Sequence, residues 1–281
     1  MAETALPRDA TARPDRPVQR RWRAEVSAIA VIAHRDFVKL LRDRVRLVSE
    51  LSFPLILVLL LGPALQSGFG RPNGLDLTAF VFTGVLAQTI WQSSVLGLVS
   101  LISDREEDFS QEIFVSPVSR YSIVAGKIIG EALVALPTGL GVVVVGLLIG
   151  VPLAPVVLLA LIPVSLVVAL YGGAFGLIVL SNLKSQRTAN QVFSFILLPQ
   201  FFLAGVFNPI HDLPLPLAIL SALSPLRYAV ELMRNVVYGL QPGVPAPATT
   251  PISINAAVIA VSFLGFLVAG TFLFVRSERN R

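Results

Sequence analysis

The densest chemistry in this sequence lies in one stretch, Asp104-Arg105-Glu106-Glu107-Asp108-Phe109-Ser110-Gln111-Glu112-Ile113-Phe114-Val115-Ser116-Pro117-Val118-Ser119-Arg120. Five acids and one arginine precede the apolar triplet Ile113-Phe114-Val115. Wound as a short helix, Phe109, Ile113 and Phe114 fall on adjacent turns and form an apolar ridge flanked by charge. Such a ridge suits docking into a groove on another protein. A solvated acidic loop is the other reading of the same residues. Pro117 disfavours helix at Ser116 and ends the element there. Arg120 and Lys127 then lead into the next apolar segment.

Bond-making chemistry finds no footing elsewhere. The chain has no cysteine, which excludes disulfides and thiol chemistry. His34 and His211 are its two histidines and lie far apart, so a metal held by clustered imidazoles is not expected. Val124-Ala125-Gly126-Lys127 looks like the close of a phosphate-binding loop. Tyr121 stands where that loop needs glycine, however, and Ile128 where it needs serine or threonine. A helix rather than a strand surrounds it. No paired-histidine metal motif and no nucleophile elbow appears.

The elements that must carry these residues are apolar. Hydrophobic residues make up 54% of the chain and charged ones 14%, against about 25% charged in soluble proteins. A bilayer core about 30 Å thick takes roughly 20 apolar residues per helix. Runs of that kind lie near 47–66, 77–102, 124–150, 155–181, 188–207 and 252–275. The alternation expected of a membrane β-barrel is absent. The sequence therefore predicts an all-α integral membrane protein with six transmembrane helices. Of 22 lysines and arginines, 19 fall on the side of the termini and of the 103–127 and 182–187 loops. Positive-inside bias places that side, with both termini, in the cytoplasm. It also accounts for the basic N-terminus, so no nucleic-acid partner is expected.

Residues 1–21 read as a disordered basic tail, with no apolar region of the kind a cleavable signal needs. Residues 22–46 follow as an amphipathic helix. Trp22, Val26, Ile29, Ala33, Phe37 and Leu40 form its apolar stripe, with Glu25, Arg35, Asp36 and Lys39 largely off it. That pattern predicts a helix at the membrane interface; packing on a partner protein would also use it. Residues 47–275 form the membrane domain, with a loop at 103–123 and a cap at 208–251, and 276–281 form a tail. In the second span Gln88 and Gln92 share a face next to Trp91 and need polar partners, either between helices or along a substrate path. In the third, Lys127 can snorkel to the interface or pair with Glu131. Glu131 is also a candidate proton carrier. Gly126/Gly130, Gly146/Gly150 and Gly172/Gly176 have the spacing of close helix contacts. In the cap, Leu213–Leu223 is too short to cross and reads as re-entrant or interfacial. Ser224 and Pro225 then start a helix that stops at Gly239, with Arg227, Glu231 and Arg234 spaced for ion pairing.

These motifs carry a resemblance. Asp104-Arg105-Glu106, Ser116-Pro117-Val118-Ser119-Arg120 and Gly126-Lys127 are similar to the cytoplasmic coupling loop of type-2 ATP-binding-cassette (ABC) exporter permeases, including daunorubicin-resistance-type drug permeases. Phe207-Asn208-Pro209-Ile210, Leu213-Pro214, and Ser224-Pro225-Leu226-Arg227-Tyr228 with Arg234 before Gly239 resemble the cap between that family's fifth and sixth spans. The likeness covers about residues 22–275. One departure is Glu107-Asp108-Phe109, where many members carry Gly-Thr or Gly-Phe, and it bears on which ATPase the loop fits.

The resemblance implies a transport subunit in the plasma membrane with no enzyme site of its own. Separate ABC ATPase subunits would hold ATP and magnesium, and a second permease chain, the same or different, would complete the complex. ATPase coupling would fall to Asp104, Arg105, Glu106, Glu107, Asp108, Phe109, Glu112, Ile113, Phe114, Pro117 and Arg120. Trp22, Val26, Ile29, Phe37 and Leu40 of the first helix would assist. The route between the two chains would be lined by Gln88, Trp91, Gln92, Asn190, Ser194, Phe201 and Phe202. The expected cargo is an amphipathic or hydrophobic molecule moved outward. A glycan exporter, an ion-coupled carrier using Glu131 and a non-transporting anchor are the alternatives.

Overall fold

A computed structural model of the chain describes residues 18–102, 119–183, 185–210, 213–241 and 247–279. Helix α1 (Val18–Arg42) starts inside what the sequence suggested was a disordered tail, and it stops before residue 46. The stop lies at Asp43, which leaves helical geometry (φ −93°, ψ 79°) and caps the next helix by accepting from the Arg46 N–H at 2.9 Å. Lys39 and Arg42 sit in the last turn of α1, where cations suit the exposed carbonyls.

Helix α2 (Arg44–Phe69) contains Pro54 and Pro63, and between them the backbone widens into a π turn at Leu57–Leu61. A missing N–H at each proline makes such a local rearrangement cheap. The chain reverses through Gly70 and Gly74, both at positive φ. Gln66 stitches this reversal, accepting from Leu77 N–H at 2.7 Å and donating to the Gly70 carbonyl at 2.8 Å. Asp76 then caps α3 (Leu77–Ile102) through the Ala79 N–H at 3.0 Å.

Nearly all of α3 is buried, and apolar side chains point every way around it. A helix hydrophobic all round belongs in the interior, and α3 is the axis of the molecule. Around it pack α4 (Arg120–Leu148), α5 (Pro155–Leu180) and α8 (Pro225–Gly239), with α9 (Ile252–Arg279) on the outer side of α5. Glycines set the spacing. A Cβ at Gly172 would lie 2.5 Å from the Trp91 carbonyl, and one at Gly176 would lie 3.0 Å from that of Val95. Gly126 and Gly130 do the same for α1, which crosses α4 at Ile29 and Ala33. Gly146 faces Phe82, but Gly150, at φ +84°, ends α4 instead of joining a crossing.

Among the described residues, five helices are long and apolar enough to cross a membrane: α2, α3, α4, α5 and α9. Helices α7 (Leu215–Leu223) and α8, bent by 82° at Ser224, pass the same test only as a pair. Helix α6 (Gln186–Leu203), expected as the fifth span, begins with polar turns and falls outside that set. It nevertheless runs from the end of the bundle where α5 finishes up to Val206, beside Phe80 near the start of α3. Gln241, after α8, bonds to Pro152 at the start of α5. Both flanks of the bent pair thus lie at one end, and α7–α8 dips into the bundle and returns. We call that the far end and the end carrying α1 the near end.

Candidate functional site

At the near end three helices share a chain of charged side chains, and α3 adds two hydroxyls to it. On α1, Arg35 pairs with its neighbour Asp36 at 3.1 Å. Asp36 accepts from Lys127 of α4 at 2.8 Å. One turn along α4, Glu131 lies 3.4 Å from Lys127 and 3.6 Å from Arg46 of α2. Arg46 in turn bonds Glu50 at 2.7 Å. The far oxygen of Glu50 accepts from Ser93 of α3 at 2.9 Å and Thr138 of α4 at 3.3 Å. Ser100 of α3 reaches Glu131 at 3.2 Å.

The three cations balance the three carboxylates. Asp36, Lys127 and Glu131 are 4%, 2% and 1% exposed, so the partners and not water neutralise them. Local sequence makes this possible. Gly130 lets the Asp36 side chain come down onto α4, where a Cβ would sit 3.3 Å from the carboxylate. Gly97 does the same for Glu131, since a Cβ there would overlap that carboxylate. A second clamp lies at the α4 entrance. Ser119 caps α4 through the Ser122 N–H at 3.1 Å, and the Glu25 carboxylate of α1 accepts the Ser119 N–H at 3.2 Å. A carboxylate there also suits the positive end of α4. The arrangement ties α1 to α4 through Asp36–Lys127 and α4 to α2 through Glu131–Arg46.

Of the residues expected to couple the protein to an ATPase, Asp104, Arg105, Glu106, Glu107, Asp108, Phe109, Glu112, Ile113, Phe114 and Pro117 lie outside the described residues. Arg120 is described and opens α4, one residue from the Glu25 clamp. On α1 the expected bilayer stripe is split. Ala33 and Leu40 are buried, Ile29 and Phe37 are half-buried, and Trp22 and Val26 are exposed. The buried edge runs Ala33-Asp36-Leu40, so Asp36 belongs to the packed face rather than off it. Lys127 does not snorkel; it turns inward to Asp36, and its expected pairing with Glu131 is present.

The residues expected along a route between two chains fall into two groups, one on α3 and one on α6. Gln88 bonds Gln92 on the buried face of α3, and Trp91 is enclosed, with its ring 5.1 Å from Phe175. Phe201 is buried against Phe53 of α2 and Phe207. Asn190, Ser194 and Phe202 are exposed on α6, where Asn190 and Ser194 line a shallow groove with Phe195 and Leu198. In the cap, Arg234 lies over the Phe80 ring at 3.7 Å and donates to the Val206 carbonyl at 3.2 Å. Glu231 accepts from the Thr249 and Thr250 N–H groups at 2.7 and 3.0 Å. Backbone groups thus take up the charges that the sequence paired with each other. Sequence reasoning missed Arg46, Glu50, Ser100 and Thr138. Glu50, a lone acid at the start of an apolar span, was the one available signal.

The family model described as ABC-2 type transporter matches residues 27–238. A protein named as a transport permease, ycf38, from Cyanophora paradoxa is 27% identical over 213 residues, covering 74% of this chain and 73% of its own. Nodulation protein J of Rhizobium leguminosarum bv. viciae is 24% identical over 195 residues, 69% of this chain and 75% of that one. YbhR of Escherichia coli K12, described as a multidrug ABC transporter permease, is 26% identical over 171 residues, 59% and 45% of the two chains.

Proposed function

Because this chain belongs to the ABC-2 type transporter family, we propose that it is the membrane half of an ATP-driven exporter of amphipathic molecules, moved mechanically by a separate ATPase. The coarser statement, a permease subunit of an ABC transporter, follows from the family and from its named relatives. Family membership also implies association with ABC ATPase subunits. Export, an amphipathic cargo and pairing with a second permease chain are the proposed part.

The observation that carries the reading is the charge chain from Asp36 through Lys127 and Glu131 to Arg46. A helix lying under the spans and locked to two of them is what a push from below would need. Among the described residues, Val31, His34, Lys39 and Arg42 are exposed along a shallow groove on the other side of α1. In this proposal that side and the 104–117 segment meet the ATPase. In this reading Glu131 belongs to the charge chain, with Lys127 and Arg46 flanking its carboxylate.

The test pairs two sets of variants with the ABC ATPase that co-purifies with the unmodified chain. Glu106→Lys, Phe109→Ala and Phe114→Ala should abolish co-purification with it. The double variant Asp36→Leu/Lys127→Met should keep co-purification and lose at least about tenfold in ATP-dependent transport, one factor of ten being about 1.4 kcal/mol. Full transport by that double variant would sink the coupling role of the charge chain.

A further inference from the structure

The break between α7 and α8 leaves the start of a fifteen-residue helix inside the bundle. Gln241, just past α8, donates to the Pro152 carbonyl at 2.5 Å, which fixes its last turn at the far end. Along its course Leu232 and Val236 pack between α5 and α9, beside Val164, Val167 and Ile259. At 1.5 Å per residue α8 is about 22 Å long, in an apolar layer about 30 Å thick. Its first turn therefore lies well within that layer.

Two polar side chains at the break want a partner. Ser224 holds the N-cap position and is 4% exposed, yet its hydroxyl makes no hydrogen bond, to the helix or to anything else described. Arg227, in the first turn, donates Nη1 to the Ser221 hydroxyl at 3.3 Å, while its buried Nε has no acceptor. Ser221 is a neutral acceptor and is itself engaged, donating to the Leu203 carbonyl at 2.7 Å. Among the described residues no carboxylate pairs with Arg227. The nearest acid along α8, Glu231, is taken by the Thr249 and Thr250 N–H groups. Arg234 gives the contrast. Two carbonyls and an aromatic face receive it.

Arg227 is half-buried; a guanidinium has five donors, and a cation at membrane depth without a counter-ion is costly. The helix start adds its own positive end. All of these call for one anion. We propose that the α7–α8 break is an anion subsite. Arg227, the Ser224 hydroxyl and the first turn of α8 hold the carboxylate or phosphate of an amphiphile. Its chain lies on the exposed apolar face of α7, at Leu220 and Leu223. The proposal deepens the exporter reading by giving its cargo, or a bound lipid, an acidic head. Its binding test does not depend on transport.

Binding is measured on the full chain in an uncharged detergent, with a fluorescent palmitate analogue and the methyl ester of the same analogue. The acid should bind about tenfold more tightly than the ester, the scale of one charge-assisted hydrogen bond. R227K should keep that preference and R227Q should bring the ratio close to one. Should R227Q fail to fold, S224A decides, and the ratio must fall severalfold. Competition identifies the source. Displacement of the acid by phosphatidylglycerol but not phosphatidylcholine marks a bilayer lipid, and resistance to both marks a carboxylate amphiphile. Equal binding of acid and ester by the unmodified chain, or an undiminished preference in folded R227Q, overturns the subsite. No ATP or ATPase is present, so that outcome leaves the permease function standing.

Discussion

Lys127 shows how much one side chain can decide. Its ammonium joins Asp36 on α1 to Glu131 on its own helix, out of reach of water. Removing one member of a buried ion pair typically costs about 3–5 kcal/mol, because the remaining charge is left uncompensated. Lys127→Met leaves two carboxylates short of a partner and should lower the thermal unfolding midpoint sharply. Asp36→Leu/Lys127→Met removes charge from both sides and should recover most of that loss. If the double variant is no more stable than the single one, the pair is not the determinant described here. Half of this was legible. The spacing of Lys127 and Glu131 on one helix face declares their pairing, since neighbours one turn apart must meet. Asp36 was not, because it lies 91 residues from Lys127 in sequence.

At the level of elements, small residues decide which helices touch and how closely. A Cβ at Gly172 would meet the backbone carbonyl of Trp91, which cannot swing away. Gly172→Ala should therefore destabilise the protein by about 1–3 kcal/mol, the usual range for overpacking. Gly68→Ala, with nothing within 4 Å, is the matched control and should leave the unfolding midpoint where it was. At the α1–α4 crossing, a Cβ on Gly130 would lie 3.1 Å from the Ala33 backbone. The chain has no cysteine, so Ala33→Cys/Gly130→Cys should form one disulfide under mild oxidation, read as a change in gel mobility. No cross-link would mean that α1 stands off α4 in solution. Element boundaries were partly visible. Pro225 and Gly239 bracket α8 as the sequence indicates, because one lacks an N–H and the other favours a stop. The turn at Asp43 went unseen, since its signal, a side chain reaching Arg46 N–H, is indistinct among so many charges.

For the whole molecule, the bundle has two unlike ends, and positive-inside bias predicts that the near end faces the cytoplasm. Of 22 lysines and arginines, 19 belong to the sequence segments expected on that side. Single cysteines at the exposed positions Ser27 and Asn208 should react with an impermeant maleimide from opposite faces, Ser27 from inside and Asn208 from outside. Labelling of Ser27→Cys in intact cells would reverse the topology and with it the coupling proposal. The sequence by itself determined that the chain is helical, that it lives in a bilayer, and where its cap is broken. Those properties depend on apolar run length and on backbone chemistry at proline and glycine, which act locally. Only the tertiary structure decided that α3 is the buried axis, enclosing Gln88 and Trp91, and that Asp36 turns inward. Lipid tails are as apolar as leucine, so a lipid-facing and a protein-facing side chain look alike until the neighbours are in place.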